Sequence, residues 1–295
     1  MKIDVTFIGT ATTLIRCGSI TILTDPNFLH QGQHAYLGYG LWSKRLKPPA
    51  LQVDQLPTLD AVVLSHMHGD HWDRVAERHL DHDLPVFTTH DAAKRLRHRG
   101  FGDAVGLSTW DSSVIANGSE RLTFTSLPGR HAPTPINRLL PPVMGTMLTF
   151  ETDGTTRHLY LSGDTLLIDE LDEIPVRFQS VDAGVLHLDG TKLPAGNRLP
   201  FGLTVTMDGH QGAEMVRRLD LPRVIPVHFD DYGVFASPRT DFTAAMAELG
   251  MAGRVIEIER GQTVRSLLHG LRDRFAEVAH SGSQTIWQVM PPGRS

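Results

Sequence analysis

The stretch 64–71, with the sequence Leu-Ser-His-Met-His-Gly-Asp-His, places the strongest constraint on this chain. It carries four potential metal ligands within six residues: His66, His68, Asp70 and His71. The apolar run 61–64 before it predicts a short buried strand, so the ligands lie in a turn at a strand's carboxyl end, where α/β sheets usually place their sites. A tight turn cannot direct four side chains at one tetrahedral ion. We therefore expect two neighbouring ions, one at His66 and His68 and the other at Asp70 and His71.

Imidazole and carboxylate groups together indicate which metals suit such a turn. They favour Zn²⁺, with Mn²⁺ or Fe²⁺ as alternatives. The sequence does not separate the three.

The pattern His-x-His-x-Asp-His resembles the metal-binding signature of the metallo-β-lactamase-fold hydrolases. The resemblance implies three more ligands in order along the chain, and His131, Asp164 and His228 stand in matching contexts. The segments Ser-Gly-Asp-Thr and Pro-Val-His around the last two resemble the branch that contains L-ascorbate-6-phosphate lactonase and N-acylphosphatidylethanolamine phospholipase D. The similarity extends from about residue 3 to about residue 267.

The resemblance also implies how the ligands divide between two ions. One ion is expected on His66, His68 and His131, and the other on Asp70, His71 and His228. Asp164 and a water are expected to bridge the two ions.

The strand and helix patterns predict an α/β fold. Together with the resemblance they predict two mixed β-sheets face to face with helices outside, an αββα sandwich of metallo-β-lactamase type. We expect a single domain over residues 1–268, with a C-terminal tail at 269–295. Both halves of the domain are expected to contribute ligands.

Composition and charge limit the partners. A formal net charge of −5 argues against a nucleic-acid partner, because phosphate binding needs a basic surface. Cys17 is the only cysteine, so there is no disulfide framework, and this fits a cytoplasmic protein. The sequence shows no secretory signal and no membrane span.

Residues 30–57 show no regular pattern, with several glycines and prolines among aromatic residues. One interpretation is a hydrophobic flap in which Trp42 contacts a substrate or another subunit of a homo-oligomer. The other is a loop whose aromatic residues pack on the core. The sequence does not decide between them.

Further residues are candidates for supporting the metals or contacting substrate. Asp25 ends a strand, where the resemblance implies a carboxylate beneath the metal ligands; an Asx turn is the alternative. His187 fits a packed core histidine better than a ligand. His210 is ambiguous, and Asp208 before it reads as a helix cap. Tyr232 follows His228 closely and suits either a substrate contact or core packing.

The expected function is a binuclear metal-dependent hydrolase. Two ions lower the pKa of a bridging water, and the resulting hydroxide attacks a phosphoryl or carbonyl centre of a small molecule. Asp70 and Asp164 are the expected catalytic carboxylates, and the leading bonds are a phosphodiester or a lactone or ester. The sequence has no Gly-x-Ser-x-Gly nucleophile motif. The alternatives are an iron-containing redox enzyme on the same fold or a non-catalytic metal-binding scaffold.

Overall fold

The computed structural model describes residues 1–38, 40–134, 136–193 and 203–267. The strands in this part of the chain are β1 (Ile3–Gly9), β2 (Thr12–Cys17), β3 (Ile20–Thr24), β4 (His34–Tyr36), β5 (Trp42–Lys44), β6 (Ala61–Val63), β7 (Val86–Thr89), β8 (Ala104–Leu107), β9 (Ser112–Asn117), β10 (Glu120–Leu127), β11 (Gly145–Thr152), β12 (Thr155–Leu161), β13 (Ala183–His187), β14 (Lys192–Leu193), β15 (Leu203–Thr204), β16 (Val224–Val227) and β17 (Thr263–Val264). The α-helices are α1 (Arg74–His79), α2 (His90–His98), α3 (Glu173–Arg177), α4 (Gly209–Arg218) and α5 (Arg239–Glu248).

Two mixed sheets carry the architecture. The first has the strand order β17-β1-β2-β3-β6-β7-β8, and the second has the order β16-β13-β12-β11-β10-β9. In the first, β1, β2 and β3 are antiparallel, and β3, β6, β7 and β8 follow in parallel. In the second, β9 to β12 are antiparallel, and β12, β13 and β16 are parallel. The parallel strands of each sheet therefore end at a common edge, where their loops can meet.

The two sheets pack face to face. One buried cluster draws Val5 and Phe87 from the first sheet and Phe124 and Val185 from the second. The rings of Phe87 and Phe124 stack across the interface with centroids 4.2 Å apart. This packing makes the central layer of the predicted sandwich.

Helices cover both outer faces. A second cluster packs α1 and α2 on the first sheet through residues such as Ala76 and Leu96. A third packs α4 and α5 on the second sheet through Val216 and Phe242. The predicted αββα fold is confirmed.

Local sequence signals explain where several helices begin. Asp73 caps α1 by accepting hydrogen bonds from the N–H groups of Val75 and Ala76. Asp208 and Gln211 form a capping box at the start of α4, as the sequence predicts. Asp208 is thus occupied as a cap.

The segment 30–57 contains more regular structure than its sequence suggests. Strands β4 and β5 form a short hairpin in which Tyr36 pairs with Trp42. Its inner face packs through Ala35 on Leu29 and Tyr232. Three-residue strands around a glycine-containing turn leave too weak an alternation to recognise from sequence.

The segments 254–258 and 263–268, on either side of Arg260 and Gly261, predict a final strand pair from the sequence, and the structure differs. Thr263 and Val264 pair with β1 instead, and Val255 makes one isolated bridge to Val224. The predicted tail at 269–295 lies outside the described residues. Among the helices that the structure describes, each is too short or too polar to span a membrane.

Candidate metal centre

The loops at the carboxyl ends of four strands converge at one edge of the sandwich. The turn after β6 carries His66, His68, Asp70 and His71, and the ends of β10, β12 and β16 lead to His131, Asp164 and His228. All seven side chains are buried except that of His68, which is half-buried. The structure therefore brings together every ligand that the sequence predicted.

Three histidines form the first ligand set. His66 Nε2 lies 2.9 Å from His68 Nδ1, and His131 Nε2 lies 3.3 Å from the same atom. The other ring nitrogens of two of them are engaged elsewhere: His66 Nδ1 lies 3.0 Å from Ser65 Oγ, and His131 Nδ1 lies 3.1 Å from the Asp164 carbonyl oxygen. The arrangement leaves three nitrogens facing a common point.

Asp70, His71 and His228 form the second ligand set. Asp70 Oδ2 lies 3.9 Å from His71 Nε2 and 3.5 Å from His228 Nε2. Asp164 lies between the two sets, since its Oδ2 is 3.0 Å from His71 Nε2 and 3.9 Å from His66 Nε2. A carboxylate in that place can serve both sets.

Unpartnered buried atoms test whether this site fits a metal. Within the described residues, Asp70 Oδ1 and His228 Nε2 are buried without a hydrogen-bond partner. Leaving buried polar atoms unpaired is costly, and native structures rarely do so without a ligand or ion. The donors are imidazole and carboxylate, which suit divalent metals. The residues at this site therefore fit the divalent metal ions that the sequence predicted.

Electrostatics differ between the two sets. Burial lowers the pKa of His66 well below its usual value, and neighbouring His71 and His68 add to the effect. Burial and His131 lower the pKa of His68 to about 3. These imidazoles are therefore neutral, with lone pairs available for a cation.

The second set attracts positive charge. Burial acts to lower the pKa of His71, but the carboxylates of Asp164, Asp70 and Asp25 outweigh it and raise the pKa. For His228 the same balance raises the pKa to about 10, chiefly through Asp164 and Asp189. Burial acts to raise the pKa of Asp164, but His228 and His71 hold it well below its usual value. Clustered carboxylates thus favour a cation at this position.

Asp25 lies beneath the ligands. Its Oδ1 accepts hydrogen bonds of 2.8 Å from both Ser65 N and Ser65 Oγ and lies 3.4 Å from His71 Nδ1. That contact leaves His71 Nε2 free to face the metal position. The geometry suits the supporting role that the resemblance implied.

His187 joins the cluster, although its sequence context favoured a packed core histidine. Its Nδ1 lies 2.8 Å from Asp164 Oδ1, and its Nε2 lies 3.8 Å from Asp25 Oδ2. It is buried and forms a possible ligand group with His71, Asp164 and His228. Its immediate role is to fix the carboxylate plane of Asp164.

Sequence reasoning assigned no role to Asp189. Its carboxylate is fully buried and pairs with His228 Nδ1, which leaves His228 Nε2 for a metal. Such carboxylate–histidine pairs orient metal ligands. The available signal was its place at the end of a buried strand.

Replacing Asp189 with asparagine keeps the side-chain shape but removes the charge beside His228. We expect the affinity of the second ligand set for its ion to fall by about 10- to 100-fold, measured by chelator competition. Asp182→Asn is the matched control, because Asp182 is buried at the opposite end of β13. An equal loss in both variants would assign the effect to general destabilisation.

Three other candidates lie apart from the ligand sets. His210 is exposed at the second position of α4. Tyr232 is buried, and its hydroxyl donates a hydrogen bond to Asn27 Oδ1 over 3.0 Å. Trp42 is 58% exposed, with its ring centroid 4.9 Å from that of Tyr36.

Comparisons with known proteins agree with this geometry. A family described as the beta-lactamase superfamily domain matches residues 21–229. The N-acyl-phosphatidylethanolamine-hydrolyzing phospholipase D 1 of Caenorhabditis elegans is 25% identical over 240 residues, 77% of this chain and 64% of that protein. A UPF0173 metal-dependent hydrolase of Exiguobacterium is 25% identical over 256 residues, 86% of this chain and 96% of that protein. The solved isothiocyanate hydrolase from Delia radicum gut bacteria has a TM-score of 0.73 at 20% identity and covers 88% of this chain and 98% of its own.

The fold and the buried histidine–carboxylate cluster define a metal-dependent hydrolase of the metallo-β-lactamase type. Because the matched region takes in well over half of the sequence, the chain belongs to the beta-lactamase superfamily.

Proposed function

We propose that this protein is a binuclear hydrolase that cleaves a phosphodiester, or a lactone or other ester bond, of a small molecule. The observation that carries the proposal is the position of Asp164, whose Oδ2 lies 3.0 Å from His71 of one ligand set and 3.9 Å from His66 of the other. A carboxylate that lies between the two ligand sets could contact an ion in each of them. Zn²⁺ is the ion that these donors favour.

The two ligand sets would each hold one divalent ion. Ions there would supply Lewis acidity, which lowers the pKa of water and polarises a substrate oxygen. His66, His68 and His131 would hold the first, and Asp70, His71 and His228 the second.

Side chains of the protein would then accept the proton of the attacking water and hold the ligands in place. Asp70 Oδ1 is buried and has no hydrogen-bond partner in the described part of the chain, so it can accept a proton or a hydrogen bond from the attacking water. His187 keeps Asp164 fixed during the reaction through the 2.8 Å contact to its Oδ1. Asp25 and Asp189 keep the rings of His71 and His228 in place.

A thiol nucleophile is not needed and is poorly placed to act. Cys17 is buried, and burial, followed by the charge of Glu120, raises the pKa of its thiol to about 12. It therefore remains protonated at neutral pH.

The substrate class is tested by comparing two reactions. Zinc-loaded protein is assayed on a chromogenic phosphodiester and a chromogenic lactone, with His98→Ala as the control, because His98 is exposed on α2. Phosphodiester cleavage would agree with the lipid phosphodiesterase activity in the nematode relative's name. Lactone cleavage would move the reaction to a carbonyl centre. Inactivity on both, in protein that carries two zinc ions, would contradict the proposed bond types.

The donor set also accepts iron, so the redox alternative stays a prediction. Iron content and visible absorbance of the protein as purified discriminate it from a zinc hydrolase. Self-association and a cytoplasmic location likewise remain predictions.

The hairpin of β4 and β5 is proposed as the flap beside the site. Gly69 N in the metal turn donates to Tyr36 O over 3.0 Å, and a Cβ on Gly38 would lie 3.9 Å from His68 Nε2. The hairpin turn is therefore next to the first ligand set. Trp42, on its outer face, is available to an apolar group of a substrate.

Replacing Trp42 with alanine tests the flap. We expect KM to rise about fivefold, which corresponds to about 1 kcal/mol of lost apolar contact. Stability should change little, because exposed side chains contribute within about 0.5 kcal/mol. Val176→Ala is the control, since Val176 is 83% exposed on α3. A fall in melting temperature with unchanged KM would favour simple packing.

A further inference from the structure

A buried polar cluster lies behind the second ligand set and has no part in the chemistry described above. It consists of Asn27, Arg45 and Asp231, each fully shielded from solvent. Burying a guanidinium and a carboxylate costs more than apolar packing of the same volume. We therefore expect the cluster to have a role other than filling the core.

Asn27 contacts the turn 64–71, which carries four of the candidate ligands. Its Nδ2 donates a hydrogen bond of 2.9 Å to the carbonyl oxygen of Gly69, the residue between His68 and Asp70. This contact fixes the peptide group that leads into Asp70. On its other side, Asn27 Oδ1 accepts hydrogen bonds from Tyr232 Oη and Arg45 Nη1.

Asp231 holds the loop that carries His228. Its Oδ2 accepts a 2.7 Å hydrogen bond from Thr10 N. The carbonyl oxygen of Thr10 accepts in turn from His228 N over 2.8 Å. His228 has a φ of 61°, a backbone conformation that is unfavourable for a non-glycine residue and needs such restraint.

Arg45 joins the two arms. Its Nη1 donates to the Asn27 carbonyl oxygen over 3.0 Å, and its Nη2 lies 3.5 Å from Asp231 Oδ1. Its Nε donates to Lys47 O over 2.8 Å, which fixes the side chain from the hairpin side. One guanidinium thus connects the turn of Asp70 with the loop of His228.

The first ligand set is supported differently. His66 contacts Ser65, and the backbone of His131 donates to Asn137 Oδ1 over 2.9 Å. In the described residues, neither of these two histidines hydrogen-bonds to Asn27, Arg45 or Asp231.

We propose that Asn27 and Arg45 are positioning residues that set the affinity of the second ligand set for its ion, while leaving the first set unaffected. The inference rests on the proposed two-ion function. It adds that the separation of Asp70 from His228 is held by side chains that touch neither metal nor substrate. The distance so held is the 3.5 Å between Asp70 Oδ2 and His228 Nε2.

Asn27→Asp is the sharpest test, because it changes one donor to an acceptor without changing shape. The variant keeps the oxygen that receives Arg45 and Tyr232 but replaces the N–H donor with an oxygen facing Gly69 O. The two zinc affinities are measured by chelator competition on wild type and variant. Asp70→Ala identifies which of the two belongs to the second set.

We expect the second affinity to fall by about 10- to 100-fold and the first to remain unchanged. Excess Zn²⁺ should then restore the metal content of the variant to two ions. Tyr232→Phe is the matched control, since it removes another contact to Asn27 but spares the bond to Gly69, and it should keep both affinities.

Each other outcome has a defined meaning. Two unchanged affinities, or two equally reduced ones, would overturn the inference and leave the proposed function standing. A wild-type protein that binds a single ion would overturn the proposed function and the inference with it. If Asn27→Asp does not fold, Arg45→Lys decides, because the single nitrogen of lysine cannot occupy the separate positions of Nε, Nη1 and Nη2 that contact Lys47 O, Asn27 O and Asp231. An unchanged affinity of the second ligand set in that variant would overturn the inference.

Discussion

Replacing Asp164 with alanine is expected to remove the second metal ion and reduce hydrolysis by at least about 100-fold. Substitutions of residues that merely orient a ligand already cost about 10- to 100-fold, so loss of a shared ligand should cost more. Asp164 faces both ligand sets and also contacts His187, so alanine leaves a gap lined by four histidines. Metal content and turnover are measured on the same sample.

The control for this variant is Asp172→Ala. Asp172 is exposed and pairs with Arg218 on the surface, so its loss should leave metal content and turnover unchanged. Full activity with two bound ions in Asp164→Ala would overturn the assignment of the site.

Removing the metals is expected to lower the melting temperature on the order of 5–10 °C. A ligand at 1,000 times its Kd stabilises the folded state by about 4 kcal/mol, and each kcal/mol moves the melting temperature of a large domain by about 2 °C. The candidate ligands come from loops of both sheets, so a bound ion would join the two halves of the fold. Ions also relieve the repulsion among Asp70, Asp164 and Asp25, which are buried close together.

Scanning calorimetry of chelator-treated and zinc-loaded protein measures this shift. Mg²⁺ is the control cation, because it prefers oxygen ligands and should shift the melting temperature much less. Zinc should also have a smaller effect on Asp164→Ala. An equal shift with both cations would indicate non-specific binding.

The candidate ligands were predictable on two grounds: four have dense spacing and specific side-chain chemistry, and the other three stand in contexts that resemble the family's motifs. Four of them occupy one turn, and His131, Asp164 and His228 each follow a strand that the sequence signals through apolar residues. A local pattern of this kind can be recognised without knowing how the rest of the chain folds. Buried strands and amphipathic helices show their periods in the sequence and predict an α/β fold, and the family resemblance added the layered sandwich.

The supporting residues were harder to predict because their roles depend on contacts between distant segments. Asp189 and His187 look like the end of a buried strand, and only the packing of β13 beside β12 and β16 places them at the site. The sequence does not indicate the role of Arg45, because its partners Asn27 and Asp231 lie 18 and 186 residues away along the chain. The hairpin was missed because its strands are three residues long.

The two sheets place an aspartate at corresponding positions, and the surroundings of each aspartate decide which of them can serve an ion. Asp25 follows β3 and Asp164 follows β12, and each of these strands is the one where antiparallel pairing changes to parallel. His71 and His187 come from the loops or ends of the next parallel strands, and each lies between the two aspartates, at distances from 2.8 to 3.8 Å. The two aspartates differ in one respect: the N–H and hydroxyl of Ser65 hydrogen-bond to Asp25 and not to Asp164. Two carboxylates in corresponding positions therefore differ in what surrounds them: protein donors satisfy Asp25, whereas Asp164 lies among histidines of both ligand sets.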